Sequence, residues 1–237
     1  EPLRMLMESI TSGTPPGAIP NLTCRTPQGE VVENPLNYVP ASLEYLGNNY
    51  KYMIRSALKY RDWKSLRAFC NWWQYPITMV LTCRGCSHDC AFCGGSRGAI
   101  SSFCSRDKVA YRAPEKIAYD IELLSHFSTA PIFIVGDPLQ GGKDYAMETL
   151  DFISHLAPIN HIVLELFGPA PRDYFDRIAS SLEHFDFQVS PETHDEAIRE
   201  LIGKPYSNDE LERNIVWALE AGCEKFDVFF MIGLPGQ

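Results

Sequence analysis

From residue 76 onward, short runs of apolar residues alternate with longer stretches in which apolar residues recur every three or four positions. Short apolar runs are typical of buried strands, whereas the longer period is typical of amphipathic helices. The pattern predicts strands at residues 77–82, 132–135, 162–167, 186–190 and 226–232. Strands that alternate with helices in this way predict a parallel sheet covered by helices, either as a barrel or as a doubly wound sheet.

The helices of this region are predicted from two kinds of signal. The apolar period predicts helices at residues 114–127, 145–157 and 172–184. Two further helices follow capping-box patterns, in which a Ser or Thr precedes a Glu by three residues. Thr193 and Glu196 predict a short helix, and Ser207 and Glu210 predict a longer one that ends near Gly222.

The first 75 residues have a different pattern. Residues 1–12 predict an amphipathic helix that ends at Gly13, and residues 19–32 predict a small hairpin around Pro27, Gln28 and Gly29. Residues 41–73 predict irregular helical structure. A cluster of aromatic residues at the end of this stretch is interpreted as a packing surface: Phe69, Trp72, Trp73 and Tyr75. We therefore expect an accessory region at 1–75 and an α/β core at 76–237.

Half of the eight cysteines follow the first predicted strand within eleven residues: Cys83, Cys86, Cys90 and Cys93. Thiolates are soft ligands that suit iron–sulfur clusters, zinc or copper(I). A structural zinc site usually takes its cysteine pairs from separate segments, and a ferredoxin run normally ends in Cys-Pro, whereas this one ends in Cys93-Gly94. The spacing disfavours both sites, but zinc or an electron-transfer cluster held by all four cysteines remains the alternative. Among the scattered cysteines, Cys104 is expected in a serine-rich loop.

Three of these cysteines, in the pattern Cys86-x3-Cys90-x2-Cys93 with Phe92 before the last one, resemble the signature of the radical S-adenosylmethionine superfamily. The resemblance implies a partial (β/α)6 TIM-like barrel of which about five βα units are present. It implies that the three thiolates hold a [4Fe–4S] cluster with one iron open to S-adenosylmethionine, and that Phe92 lies by the adenine.

The same resemblance implies an activity. A flavodoxin- or ferredoxin-type donor would reduce the cluster, which would cleave S-adenosylmethionine to methionine and a 5′-deoxyadenosyl radical. That radical would abstract hydrogen from a substrate that the sequence does not identify. Cys83 lies outside the signature and is interpreted as a strand-end residue packed under the loop, because a fourth protein ligand would block the open iron.

Three polar residues stand at or near the carboxyl ends of strands, where a parallel barrel places its reacting groups. Asp137 follows the second strand, Glu165 lies inside the third, and Glu192 ends the fourth. A buried carboxylate is costly unless it is paired. Glu165 is therefore expected to face the barrel lumen, where it contacts cofactor or substrate or pairs with a buried Lys or Arg.

The family resemblance implies roles for residues at these strand ends. Gly136-Asp137 stands where the family has a Gly-Gly-Glu-like segment that binds the amino group of S-adenosylmethionine; turn formation is the alternative for Asp137. Ser190 and Glu192 resemble a position near the ribose and methionine, although Glu192 could equally be a carboxylate at a helix start. Gly233 would allow the backbone to approach the adenine closely.

Residues 190–193, 204–210 and 230–237 are similar to the branch of the family with a cobalamin-binding domain upstream of the barrel. Residues 1–75 resemble the linker that follows that domain. This resemblance implies cobalamin as a further cofactor and methyl transfer as an activity of the full protein. The chain begins without Met and stops just after a strand, so we expect a fragment of a longer protein.

Composition disfavours several kinds of partner. Asp and Glu number 30 against 21 Lys and Arg, and the resulting net charge of −9 disfavours nucleic acid, whose phosphates need a basic patch. A hydrophobic content of 45% with 22% charged residues is typical of a globular protein, and no apolar run is long enough for a membrane helix. Because the thiols suggest no disulfide framework, a reducing cytoplasm is expected.

Overall fold

The computed structural model describes residues 1–66 and 69–237. Two residues of the predicted irregular helical stretch, 67 and 68, lie outside the described residues. The described chain falls into two compact units. The first consists of Glu1–Ala41, Gly85–Asp89 and Cys93–Val109, and the second of Ser42–Arg84, Cys90–Phe92 and Ala110–Gln237. The domain boundary expected at residue 75 stays a prediction.

Helices and strands follow one another along most of the chain. The first part contains α1 (Pro2–Ser12), β1 (Thr23–Arg25), β2 (Val31–Glu33), α2 (Tyr50–Tyr60), a 3-10 turn (Trp63–Leu66), β3 (Thr78–Leu81), β4 (Cys83–Arg84), α3 (Arg97–Cys104) and β5 (Ala110–Tyr111). The remainder contains α4 (Pro114–Phe127), β6 (Ile132–Val135), a 3-10 turn (Pro138–Gly141), α5 (Lys143–Ser154), β7 (Ile162–Leu166), α6 (Arg172–Ser181), β8 (Phe185–Glu192), α7 (Glu196–Leu201), α8 (Asn208–Glu220) and β9 (Lys225–Phe230).

The second unit is built on a five-stranded parallel sheet with the strand order β3-β6-β7-β8-β9. This confirms the predicted α/β class with a parallel sheet. The spatial order of these strands follows their order in the chain, and each connection carries a helix. A doubly wound sheet reverses its order at a switch point. Because this sheet does not, its topology is that of a partial TIM-like barrel.

The core lies between the sheet and its helices. Burial alternates along the strands, so that Ile132 and Ile134 in β6, and Ile162 and Leu164 in β7, are fully buried while the residues between them are half-buried. Because successive strand residues point to opposite faces, the buried set packs against the helices and the half-buried set faces the other side of the sheet. Those half-buried positions include Glu165, as its predicted lumen position requires.

Several local predictions are confirmed. Helix α1 ends at the left-handed Gly13, β1 and β2 form the predicted antiparallel hairpin, and α4 has the predicted bounds. The capping box of Ser207 and Glu210 is formed at the start of α8. No helix among the residues described is both long and apolar enough to cross a membrane.

Several local predictions are wrong. Helix α6 ends at Ser181 and not at residue 184, and β9 ends at Phe230 and not at residue 232. The amino-terminal cap of α7 is Asp195, whose carboxylate accepts the Ile198 N–H, and not Thr193. Strand β8 extends to Glu192, which leaves the Thr193 hydroxyl to accept the N–H of Asp195. Cys104 does not lie in a loop, because it is the last residue of α3.

Candidate functional site at the carboxyl ends of the strands

The end of β6 lies very close to the end of β3. Gly136 has a φ of +89°, and a Cβ at this position would lie 2.7 Å from Thr82 Oγ1 and 3.3 Å from Cys83 Sγ. The Thr82 hydroxyl lies within hydrogen-bond distance of two carbonyls, those of Val135 (3.1 Å) and Gly136 (3.0 Å). Only glycine combines this backbone conformation with this close approach. The predicted site residue Gly136 is therefore held tightly in place.

Glu165 is brought together with Gly136. Its Oε2 accepts a hydrogen bond from the Gly136 N–H at 3.0 Å. Burial raises the pKa of the Glu165 carboxyl, while this hydrogen bond and the nearby charge of Lys204 act in the opposite direction. The carboxylate thus stands at the carboxyl edge of the sheet, in the field of Lys204. Its predicted contact with cofactor or substrate, or its pairing with a buried Lys or Arg, stays a prediction.

Asp137 is buried, with only 4% of its surface exposed. Its Oδ1 accepts the N–H of Leu139 at 2.8 Å and its Oδ2 accepts the N–H of Phe167 at 2.9 Å. Burial raises the pKa of Asp137 to about 6 despite these two bonds. The side chain therefore closes the turn after β6 and ties it to the end of β7. Its predicted role toward the amino group of S-adenosylmethionine stays a prediction.

Cys83 lies in β4, where it pairs with Tyr111 of β5. Its thiol is directed toward the end of β6, next to Gly136 and 3.9 Å from Gln140 Nε2. Burial is the largest cause that raises the pKa of this thiol, and the charges of Asp137 and Glu165 add to it. The residue is thus a half-buried strand residue beside the strand ends.

The end of β8 carries the predicted residues Ser190 and Glu192, which are joined by Lys204. The Lys204 ammonium donates to the Ser190 carbonyl and lies 2.9 Å from Glu192 Oε1. The side chains of Lys204 and Glu192 are only 12% and 13% exposed. Glu192 follows a bulge in the β8–β9 pairing and has a φ of +67°, a rare conformation for a residue with a side chain.

Lys204 is held by a connection that sequence reasoning did not identify. Arg199 is fully buried, and its guanidinium donates to the carbonyls of Tyr206 (2.9 Å) and Thr193 (3.0 Å) and to Asn208 Oδ1 (2.9 Å). These bonds fix the chain between α7 and α8, which contains Lys204. The signal that could have indicated Lys204 is the need of Glu165 for a nearby cation.

The middle of the cysteine loop, Cys90–Phe92, belongs to the second unit and rests on the end of α7. The Ala91 N–H donates to the Ile202 carbonyl at 3.1 Å. The hydroxyl of Tyr206 is buried with no hydrogen-bond partner among the described residues, and burial is the largest cause that raises the pKa of Tyr206 to about 12. Phe92 is 44% exposed, so its ring is available to a ligand.

The two outer cysteines of the signature belong to the first unit. A backbone N–H lies close to each sulfur, that of His88 to Cys86 at 3.4 Å and that of Gly95 to Cys93 at 3.3 Å. Helix α3 orders this part of the loop, because its first turn bonds to Asp89 and to the His88 carbonyl. Hydrogen bonds to sulfur are one of the means by which proteins tune iron–sulfur clusters.

Gly233 lies beyond β9 in an exposed turn. It has a φ of +88°, a conformation that favours glycine, and its N–H donates to Gln237 Oε1 at 3.1 Å. A Cβ at this position would meet no atom of the described residues within 4 Å, so the backbone of this turn is open to a close neighbour. Its predicted approach to the adenine stays a prediction.

Comparison with known proteins adds to this geometry. The model of the radical SAM superfamily matches residues 80–237. No curated protein matches the chain. Among solved structures, the chain is similar to the radical S-adenosylmethionine methyltransferase TsrM from Kitasatospora setae, with a TM-score of 0.72, 15% identity, and coverage of 100% of this chain and 45% of that one.

The chain is also similar to OxsB, described as a cobalamin-dependent S-adenosylmethionine radical enzyme. The TM-score is 0.67 at 12% identity, with coverage of 98% of this chain and 33% of that one. At such identities the likeness concerns the fold. The chain spans less than half the length of both structures.

Proposed function

The chain belongs to the radical S-adenosylmethionine superfamily, and we propose that it forms the part of an enzyme that binds a [4Fe–4S] cluster and S-adenosylmethionine. The observation that carries the proposal is the Cys86-x3-Cys90-x2-Cys93 signature within the matched residues. The outer two sulfurs each lie within hydrogen-bond distance of a backbone N–H, which would stabilise thiolates. The donor set of three thiols fits an iron–sulfur cluster.

Cys83 supports a three-cysteine site over a four-cysteine one. Its thiol is directed toward Gly136 and Gln140 at the end of β6. Burial raises the pKa of this thiol, whereas a metal ligand must be a thiolate. Three protein ligands would leave one iron for S-adenosylmethionine. The alternative, a zinc or electron-transfer module that uses all four cysteines, lacks this support.

The strand ends offer groups for S-adenosylmethionine, which carries an ammonium and a carboxylate. We assign the ammonium to Glu165, because its carboxylate lies at the sheet edge, whereas both oxygens of Asp137 already accept backbone N–H groups. Ser190, Glu192 and Lys204 would contact the ribose and methionine, and Phe92 and Gly233 the adenine. When bound, a reduced cluster would supply the electron that cleaves S-adenosylmethionine to methionine and a 5′-deoxyadenosyl radical.

Cobalamin-dependent methyl transfer is our proposal for the full protein. TsrM is a methyltransferase whose structure contains cobalamin and a [4Fe–4S] cluster, and OxsB is cobalamin-dependent. Their similarity to this chain covers nearly all of it, including residues 1–75. We further propose a flavodoxin or ferredoxin as the electron donor and a reducing cytoplasm as the compartment.

The test is electron paramagnetic resonance on protein that has been reconstituted without oxygen and reduced with dithionite. We expect a [4Fe–4S]+ signal that changes when S-adenosylmethionine is added. Cys93→Ala should lose the signal, while Cys104→Ala should keep it, because Cys104 is an exposed cysteine outside the signature. A zinc-loaded, silent sample or a signal indifferent to S-adenosylmethionine would overturn the proposal.

A further inference from the structure

Three potential metal ligands lie at the opposite edge of the sheet from the candidate site. His161, His184 and Glu224 immediately precede β7, β8 and β9, so each begins one of three adjacent strands. Their backbones already take part in hydrogen bonds along the sheet edge: Ile132 N–H to the His161 carbonyl, Ile162 N–H to the His184 carbonyl, and Glu224 N–H to the Phe185 carbonyl. The backbone that carries the three side chains is therefore fixed by hydrogen bonds at the edge of the sheet.

The side chains of these residues converge. One ligand atom from each lies within 4.8 Å of the other two. Glu224 Oε1 is 3.1 Å from His161 Nε2 and 2.6 Å from His184 Nδ1. The two imidazole rings stack with their centroids 5.4 Å apart and their planes at 30°. Two ring nitrogens thus lie within 3.1 Å of one carboxylate oxygen.

Asp186 gives the cluster an outer carboxylate. Its Oδ2 lies 3.3 Å from His161 Nδ1, on the side of the ring away from Glu224. A neutral His161 that donates its Nδ1–H to Asp186 presents the lone pair of Nε2 to the cluster. Metal-binding histidines usually have such a partner, which fixes the tautomer and the ring orientation. Among the described residues, the other oxygen of Asp186, Oδ1, is buried and has no hydrogen-bond partner.

Two ring nitrogens and one carboxylate oxygen that converge from the starts of three adjacent strands are a donor set that suits a transition-metal ion. We propose that His161, His184 and Glu224 bind a zinc-class transition-metal ion, with Asp186 as the carboxylate that orients His161.

The donor set and the position indicate what the ion does. Two imidazole nitrogens and one carboxylate oxygen suit zinc, with water in the fourth position. The amino-terminal edge of a parallel barrel is where stabilising features occur, whereas chemistry is found at the carboxyl ends. The ion would therefore clamp the starts of β7, β8 and β9 and stabilise the fold by binding the folded state.

The test must separate this site from the cysteine loop, because thiolates also bind zinc. We would titrate Zn2+ calorimetrically into the full chain with Cys83, Cys86, Cys90 and Cys93 replaced by Ala. We expect one ion per chain, lost in His184→Gln and in Glu224→Gln. Asp186→Asn should weaken binding by about 10- to 100-fold. His155→Gln is the matched control and should change nothing, because the ring of this histidine bonds to the Asp151 carbonyl of α5.

Zinc that fails to bind, or that binds equally well to the His184→Gln and Glu224→Gln chains with unchanged circular dichroism, would overturn the proposal and leave an ion-pair network. If the chain without the four loop cysteines does not fold, the same variants are compared in the native chain by Co2+ absorption. A nitrogen- and oxygen-bound Co2+ spectrum without thiolate charge transfer, lost in Glu224→Gln, would support the site. Absorption from thiolate-bound Co2+ alone would overturn it.

Discussion

The carboxylate of Glu165 accepts the backbone N–H of Gly136 at 3.0 Å, and this bond joins the ends of β6 and β7. On its other side, Gly136 faces Thr82, whose hydroxyl lies 3.0 Å from its carbonyl oxygen. The glycine, at the end of β6, is thus fixed between the ends of β3 and β7, the strands on either side of β6. Any ligand that occupies this edge of the sheet meets a backbone whose position is set before binding.

Gly136→Ala should destabilise the fold. The φ of +89° is unfavourable for alanine, and the new Cβ would lie 2.7 Å from Thr82 Oγ1. We expect the free energy of unfolding to fall by about 1–3 kcal/mol, measured by denaturant unfolding. Gly142→Ala is the matched control, since it has a φ of +94° but meets no atom within 4 Å. Equal losses in the two variants would show that the contact with Thr82 has no effect.

The ion pair of Glu192 and Lys204 should contribute more to the free energy of unfolding than the exposed ion pairs of this chain. Lys204→Met leaves a nearly buried carboxylate without its cation, and we expect a loss on the order of 3 kcal/mol in the free energy of unfolding. Lys143→Met removes a pair with Asp173 in which both side chains are 53% exposed, and should cost less than about 1 kcal/mol.

A double-mutant cycle isolates the interaction. With Glu192→Gln already in place, Lys204→Met should be much less harmful than in the native chain, because no charge is then left unpaired. Additive effects of the two substitutions would refute the interaction and point to lost packing of the lysine stem instead.

Asp137 should make stability depend on pH. Its pKa of about 6 in the folded chain exceeds the unfolded value of about 3.9, so the folded state binds the proton more tightly. The contribution of this group is therefore greatest below about pH 4 and is lost as the pH rises through about 6, a change of roughly 3 kcal/mol.

The measurement compares the native chain with Asp137→Asn, whose side chain does not titrate. The variant should be less stable at about pH 4, since its amide nitrogen cannot accept a second backbone N–H. The gap in unfolding free energy should then shrink toward about pH 7. A gap that stays constant or widens would contradict the raised pKa.

What the sequence predicted well depends on local signals. Helix α4 has the predicted bounds because Pro114 suits the first turn and its apolar residues share one face. Glu165 was expected to face the lumen because an unpaired buried carboxylate is costly, and it lies among the half-buried residues of β7. The choice of a barrel over a doubly wound sheet needed the strand order, which periodicity alone does not contain.

What the sequence missed depends on contacts between distant residues. Thr193 does not cap α7, because β8 continues to Glu192 through its pairing with β9. The place of Lys204 beside Glu192 depends on the turn that buried Arg199 holds. Helix α3 was not predicted from the sequence, because its serine- and glycine-containing sequence has weak helix propensity. In the structure, Ser96 and Asp89 hold the start of this helix.

Cys83→Ala decides between a cluster with an open iron and one closed by four thiolates. Because the Cys83 thiol lies beside Gly136 and Gln140, we expect the variant to keep its full iron content and a signal that responds to S-adenosylmethionine. Cys86→Ala, three residues further along the loop, should lose both. The measurement is iron and sulfide analysis with electron paramagnetic resonance on the two reconstituted proteins. Equal loss of the cluster in both variants would make Cys83 a ligand and would leave no iron for S-adenosylmethionine, so the chemistry would then be electron transfer alone.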